Sequence, residues 1–168
     1  MTEENAARRR LGGADPDELP GVSTKHMDLA LHRTPLRVLA GVLGGLAAIM
    51  VIAAIGLCVQ AGWSWRDALE AFVVSNAVMG VAFAGCGAIL AWHRPRNPIG
   101  WLFLAGGLCQ STAAMAAPLG AVLLEGGAPI PLLRLTETVF AWSWPWAIGL
   151  CIPLALLLFP DGRPPSRD

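Results

Sequence analysis

Four runs in this chain are long and apolar enough to dictate helices that cross a lipid bilayer: Val38 to Gln60, Ala68 to Trp92, Ile99 to Leu124 and Val139 to Phe159. A hydrocarbon core of roughly 30 Å takes about 20 residues of α-helix. Backbone polar groups in lipid must be paired inside the segment or around a closed barrel. Barrel strands alternate polar and apolar residues, whereas Val38 to Leu57 carries no polar side chain at all. A helix in a soluble bundle would show a polar face at the helical period, and that is missing too. With 55% apolar and 14% charged residues, the chain lacks the polar shell of a soluble domain. The expected fold is all-α: a polytopic membrane protein built as a four-transmembrane-helix bundle.

The net charge of zero conceals an asymmetry. Arg8, Arg9, Arg10, Lys25, Arg33, Arg37, Arg94, Arg96, Arg163 and Arg167 fall on one side of the bilayer. Arg66 and Arg134 fall on the other, beside Asp67, Glu70, Glu125 and Glu137. Loops rich in Lys and Arg stay in the cytoplasm, so the expected protein is a multi-pass protein of the plasma membrane with both termini cytoplasmic. Trp63, Trp65, Trp142, Trp144 and Trp146 are expected at the outer ends of spans, and Trp92 and Trp101 at the inner ends, at headgroup level. The Val59-Gln60-Ala61 tripeptide resembles a signal-peptide cleavage site, but the apolar run before it exceeds the roughly 7–15 residues of such signals. A lipoprotein site at Cys58 fails because bulky Leu57 precedes it.

Residues 1–37 are too polar and too rich in Gly and Pro to bury a core, and a disordered cytoplasmic tail is expected. Its three consecutive arginines orient the chain; flanking Glu3 and Glu4 weaken them as a lipid anchor. The membrane domain covers 38–159 and an exit stub 160–168.

Cys58, Cys86, Cys109 and Cys151 fall one per span, without the paired spacing or histidine partners of a metal site, and read as packing residues. His26, His32 and His93 form no ligand pair. No metal, cofactor or catalytic residue is expected. Glu70 and Glu137 are placed at the outer edge of spans, where a carboxylate stays hydrated. Asn76 and Gln110 lie deeper, with Ser75, Ser111 and Thr112 beside them, and suit hydrogen bonds between helices. Gly41 with Gly45 and Gly80 with Ala84 permit close helix approach. Pro118, Pro145 and Pro153 each remove a backbone donor within a span and favour kinks, which makes Pro145 and Pro153 candidate signalling hinges.

The loop HRPRNPIGW, His93 to Trp101, has sharper chemistry. Pro95 ends the second helix, Asn97 can cap the third, and Pro98 takes a first-turn position where its missing N–H is harmless. Together with the exit sequence, this loop carries a resemblance. RPRNPIGWLFLAGG followed by PLALLLFPDGRPPSR resembles the N-terminal membrane region of actinobacterial sensor histidine kinases. The likeness runs from about Trp92 to Arg167 and is carried by Asn97, Pro98, Gly100 and Trp101 in the loop and by Phe159, Pro160, Asp161, Gly162 and Arg163 at the exit.

The resemblance implies a sensory or anchoring input region whose exit leads to a cytoplasmic kinase core. The 168 residues hold no phosphoacceptor helix, Pro35 being expected to interrupt any helix around His32, and no cytoplasmic glycine-rich nucleotide site. The chain is thus read as non-catalytic: a truncated kinase, a membrane fragment of one, or a free-standing relative of its input region. Expected partners are the lipid bilayer, a second copy in a homodimer and a cytoplasmic signalling protein, with no nucleic acid. Two other classes fit the same spans, a small four-span transporter or transporter subunit, and a structural membrane protein that binds a partner. Short outer loops leave no room for an extracellular sensor domain, so a stimulus would act within the bilayer, at its outer surface or through a partner.

Overall fold

Long apolar runs made of helix-forming Ala and Leu give helices, and the positions of Gly, Pro and Ser decide where each one stops. The computed structural model describes residues 24–159, with side chains from 34 onward. The helices are α1 (Thr24–Gln60), α2 (Trp65–Glu70), α3 (Val73–His93), α4 (Pro98–Glu125), α5 (Ile130–Trp146), a π-helical turn (Ala147–Cys151) and α6 (Ile152–Leu157). Four rods are long and apolar enough to cross a membrane: Thr34–Gln60, Val73–His93, Pro98–Glu125 and Ile130–Leu157. The chain divides into two units, 1–33 and 34–168, and all packing described below lies in the second. The Arg8 to Arg10 cluster, the exit residues Pro160, Asp161, Gly162 and Arg163, and the side chains of His26 and His32 lie outside the described residues.

Three boundaries differ from the sequence expectation, each for a local reason. Pro35 lies inside α1, so the helix begins well upstream of Val38; a proline removes one backbone bond without ending a rod that the apolar run beyond it propagates. The second span begins at Val73 instead of Ala68. Ser64 starts a separate helix through a capping box: its backbone N–H and hydroxyl donate to Asp67 Oδ2, both at 2.7 Å, and its Oγ accepts from Asp67 N–H at 3.3 Å. That helix ends at Glu70, and Phe72 then takes the left-handed conformation, φ 59°. Glu70 is therefore exposed on α2, outside the second span. The Ser64 hydrogen bonds hold the Asp67 carboxyl below the usual carboxylate range. Its contribution to the cap is complete above the ordinary carboxylate pKa and is lost as pH falls through the depressed value.

The fourth rod begins at Ile130, nine residues before Val139, because Pro129 and Pro131 start the helix and exposed Arg134 and Glu137 ride on its first turns. Two contacts place three tryptophans along this rod. A Cβ on Gly120 would lie 3.2 Å from Glu137 Oε1, and one on Gly106 would lie 3.4 Å from Cys151. Trp142, Trp144 and Trp146 fall between these two rungs, with Trp144 beside Phe72 and Asn76 at the start of α3.

α4 is the hub and the most buried of the four spans. It packs against α3 on one side and against α5, the π turn and α6 on another. α1 packs against this group, with Ala40 and Ala47 joining Ala84, Ala91 and Leu104 in one core cluster. Toward the opposite end Ala54, Ala68, Val73 and Ala114 form a second. In both clusters most members are alanine, so cohesion comes from close backbone approach and dispersion, the terms that remain when lipid is as apolar as the protein.

Candidate functional site

The loop between α3 and α4 is built residue by residue from the RPRNPIGW motif. Asn97 N–H donates to the Arg94 carbonyl at 2.9 Å, closing a turn with Pro95 at its second position, where a fixed φ is favoured. Asn97 Oδ1 accepts from Ile99 N–H at 3.0 Å, with Pro98 in the first turn. Trp101 Nε1 donates back to the Pro95 carbonyl at 2.9 Å. Arg37 Nε donates to the Trp92 carbonyl at 3.0 Å, satisfying one of the orphan carbonyls at the end of α3 and tying α1 to the hairpin. Arg94 and Arg96 stay exposed. Asn97→Ala and Trp101→Phe are each expected to lower stability by about 1 kcal/mol, the worth of a cap or a single hydrogen bond, measured by thermal unfolding in detergent.

Below the loop, α3 and α4 meet along four antiparallel rungs. Gly80 faces Ser111, Ala84 faces Gly107, Gly87 faces Leu104 and Ala91 faces Gly100. Each pair is equidistant from the loop centre between Pro95 and Arg96, and both helices use the same four-three-four spacing. A Cβ on Gly107 would collide with the backbone N and Cα of Ala84, and one on Gly87 with the backbone N of Leu104; one on Gly100 would sit 2.7 Å from Ala91 N. Of the expected glycine pairs, Gly80 with Ala84 forms part of this seam. On α1 the close contact belongs to Gly44, where an added Cβ would lie 3.0 Å from Ala88 Cβ, while Gly45 faces open space. On α3 the small residues Gly80, Ala84, Gly87 and Ala91 show that spacing in the sequence, whereas on α4 Leu104 interrupts it.

The seam ends at a polar oddity. Gln110 and Ser111 are fully buried, and Gln110 Oε1 and Nε2 and Ser111 Oγ make no hydrogen bond. The neighbouring Thr112 bonds its own helix, Oγ1 to the Leu108 carbonyl at 2.8 Å. Gly106 meets Cys151, and Gln110, one turn further along that face, is level with Ala147, the buried first residue of the π turn. The π turn itself is closed by an Ile152 N–H to Ala147 C=O bond across five residues. Pro153 explains it: a proline lacks the N–H for the Gly149 carbonyl and its ring crowds that carbonyl, which a wider turn relieves. The expected Pro145 and Pro153 kinks thus take the form of α5, a π turn and α6. Gln110→Met, which removes the orphaned amide at similar volume, is expected to raise stability by about 1 kcal/mol, read from the midpoint of unfolding.

Asn76 is not among these buried groups. It lines an open cleft of about 440 Å³ between the start of α3 and the body of α5, with Ser75, Phe72, Phe140 and Trp144. No group of three or more His, Cys, Asp and Glu side chains suited to a metal occurs among the described residues. No protein-family model, curated protein or solved structure matches this chain.

Proposed function

We propose that the chain is the membrane input module of a two-component-type signalling protein, non-catalytic in these 168 residues, multi-pass in the plasma membrane, with both termini cytoplasmic and a homodimer as its working form. One contrast carries the reading. α3 and α4 are clamped by backbone-to-backbone rungs, whereas the last rod is the least buried of the four spans and contains the π turn. That rod is also the one that leads to the Phe-Pro-Asp-Gly-Arg exit. A rigid frame beside a final helix with a movable extra residue is the arrangement that converts a change in the bilayer into a displacement at the exit.

Orientation follows from charge. Arg37, Arg94 and Arg96 share the end toward which the fourth rod runs, and the positive-inside rule assigns that end to the cytoplasm. The end of the fourth rod at Leu157 then lies on the same side as the Arg94–Asn97 turn. The test is a chimera in which this chain replaces the input region of a histidine kinase, reconstituted in bilayers of short and of long acyl chains. Autophosphorylation that responds to bilayer thickness supports the module. Identical output in every bilayer, with the chimera folded and inserted, would overturn it.

A further inference from the structure

The cleft beside Asn76 combines three features that the packing of the bundle does not require. Phe72 holds the left-handed backbone conformation, the one non-glycine residue to do so among the described residues. Its carbonyl is pinned by the Asn76 N–H and the Ser75 hydroxyl, both donating at 3.0 Å. Non-glycine residues in this region carry strain that clusters at functional sites. The Phe72 ring, mostly exposed, is directed by that conformation onto the cleft. Facing it are Phe140, Trp144 and Ile148, four residues apart along the fourth rod. Asn76 adds a primary amide that bonds no other described side chain or backbone group. Its donors and acceptor are left for a partner from outside the bundle.

We propose that this cleft is a binding site, entered sideways from the bilayer, for a neutral planar aromatic molecule that carries a carbonyl oxygen. Each part of that description answers a feature of the wall. No charged side chain lines the cleft, so the ligand is neutral. Three aromatic rings, Phe72 from the link before α3 and Phe140 and Trp144 from α5, favour offset or edge-to-face packing with a flat ring. The Asn76 amide has two N–H donors, and a carbonyl is the acceptor that a lipid-soluble ring carries without an unpaired N–H of its own. The volume of about 440 Å³ falls in the range of small-molecule sites, roughly 300–1,000 Å³. Ile148 belongs to the π turn, so an occupant would press on the part of the fourth rod best able to change register. That last step rests on the input-module reading; the site does not.

Benzophenone, an aromatic ketone that inserts into nearby C–H bonds under illumination, serves as both ligand and label. With the full chain in nanodiscs, adducts are expected to concentrate on Phe140, Ile148 and Met79, which also lines the cleft. Asn76→Leu, which keeps the volume and removes the donors, is expected to lower labelling about fivefold, the effect of one hydrogen bond. Ile148→Trp, which fills the cleft and leaves the amide in place, is expected to abolish it, and serves if Asn76→Leu does not fold. Labelling spread evenly over lipid-facing Ile52, Val78 and Leu156 and indifferent to both variants would overturn the site and leave the cleft to acyl chains. In a kinase chimera that responds to bilayer thickness, adducts in the cleft with unchanged autophosphorylation would keep the site and overturn its coupling to the π turn, whereas adducts in the cleft of a chimera with identical output in every bilayer would keep the site and overturn the input-module reading.

Discussion

Gly107→Val is expected to abolish the folded bundle. The first added atom would occupy the space of the Ala84 backbone N and Cα, and backbone atoms cannot rotate away as a side chain can. The two helices would have to separate along the whole seam, because Gly80, Gly87 and Gly100 depend on the same spacing. Overpacking of a tight core costs about 1–3 kcal/mol when side chains can adjust; here the expected loss is about 3 kcal/mol or more, a large part of the stability of a small domain. In practice the variant should yield no monodisperse protein on size-exclusion chromatography. Ala84→Gly should not rescue it, since the colliding atoms are shared by every residue type. Gly45→Val and Gly85→Val, which point into open space, should unfold within about 0.5 kcal/mol of the wild type. Equal behaviour of the three variants would remove the seam as the frame of the fold.

Straightening the fourth rod is expected to stabilise the bundle and freeze its output. Deleting Gly149 together with Pro153→Ala takes away the extra residue of the π turn and the proline that requires it. A π turn absorbs one inserted residue, so Cys151 and Ala155, both buried, keep their faces. Restoring the helical ladder in place of a proline break is worth about 1–3 kcal/mol. In the kinase chimera the unmodified chain is expected to change output about tenfold between thin and thick bilayers, a shift of about 1.4 kcal/mol in a two-state balance. The straightened variant should change less than about twofold, because the alternative register is gone. A straightened variant that responds as fully as the parent would show that the π turn has no part in transmission.

Much of this arrangement is legible in the order of residues alone. The four spans follow from run length and the absence of charge, and the Arg94–Trp101 loop follows from where Pro95, Asn97 and Pro98 sit, since caps and turns are local and need no tertiary partner. Boundaries set by a competing local signal are harder to read. Ala68 is apolar, but Ser64 and Asp67 three residues apart place it on a separate helix. The run from Val139 marks the apolar part of the last rod, yet the helix has already begun at Ile130, where Pro129 and Pro131 start it.

The candidate site divides along the same line. Asn76 and Gln110 stand out in the sequence as polar residues within apolar runs, which marks both and separates neither. Only packing puts Gln110 on the buried face of α4 without a partner and Asn76 in an open cleft opposite Phe140 and Trp144. Sequence by itself determined four helices long and apolar enough to cross a membrane, because hydrophobicity and backbone pairing are properties of each segment alone. The tertiary structure decided which glycines touch, which amide is orphaned and which aromatics line a cleft, because those depend on the rotation of one helix against another, and no single helix encodes that angle.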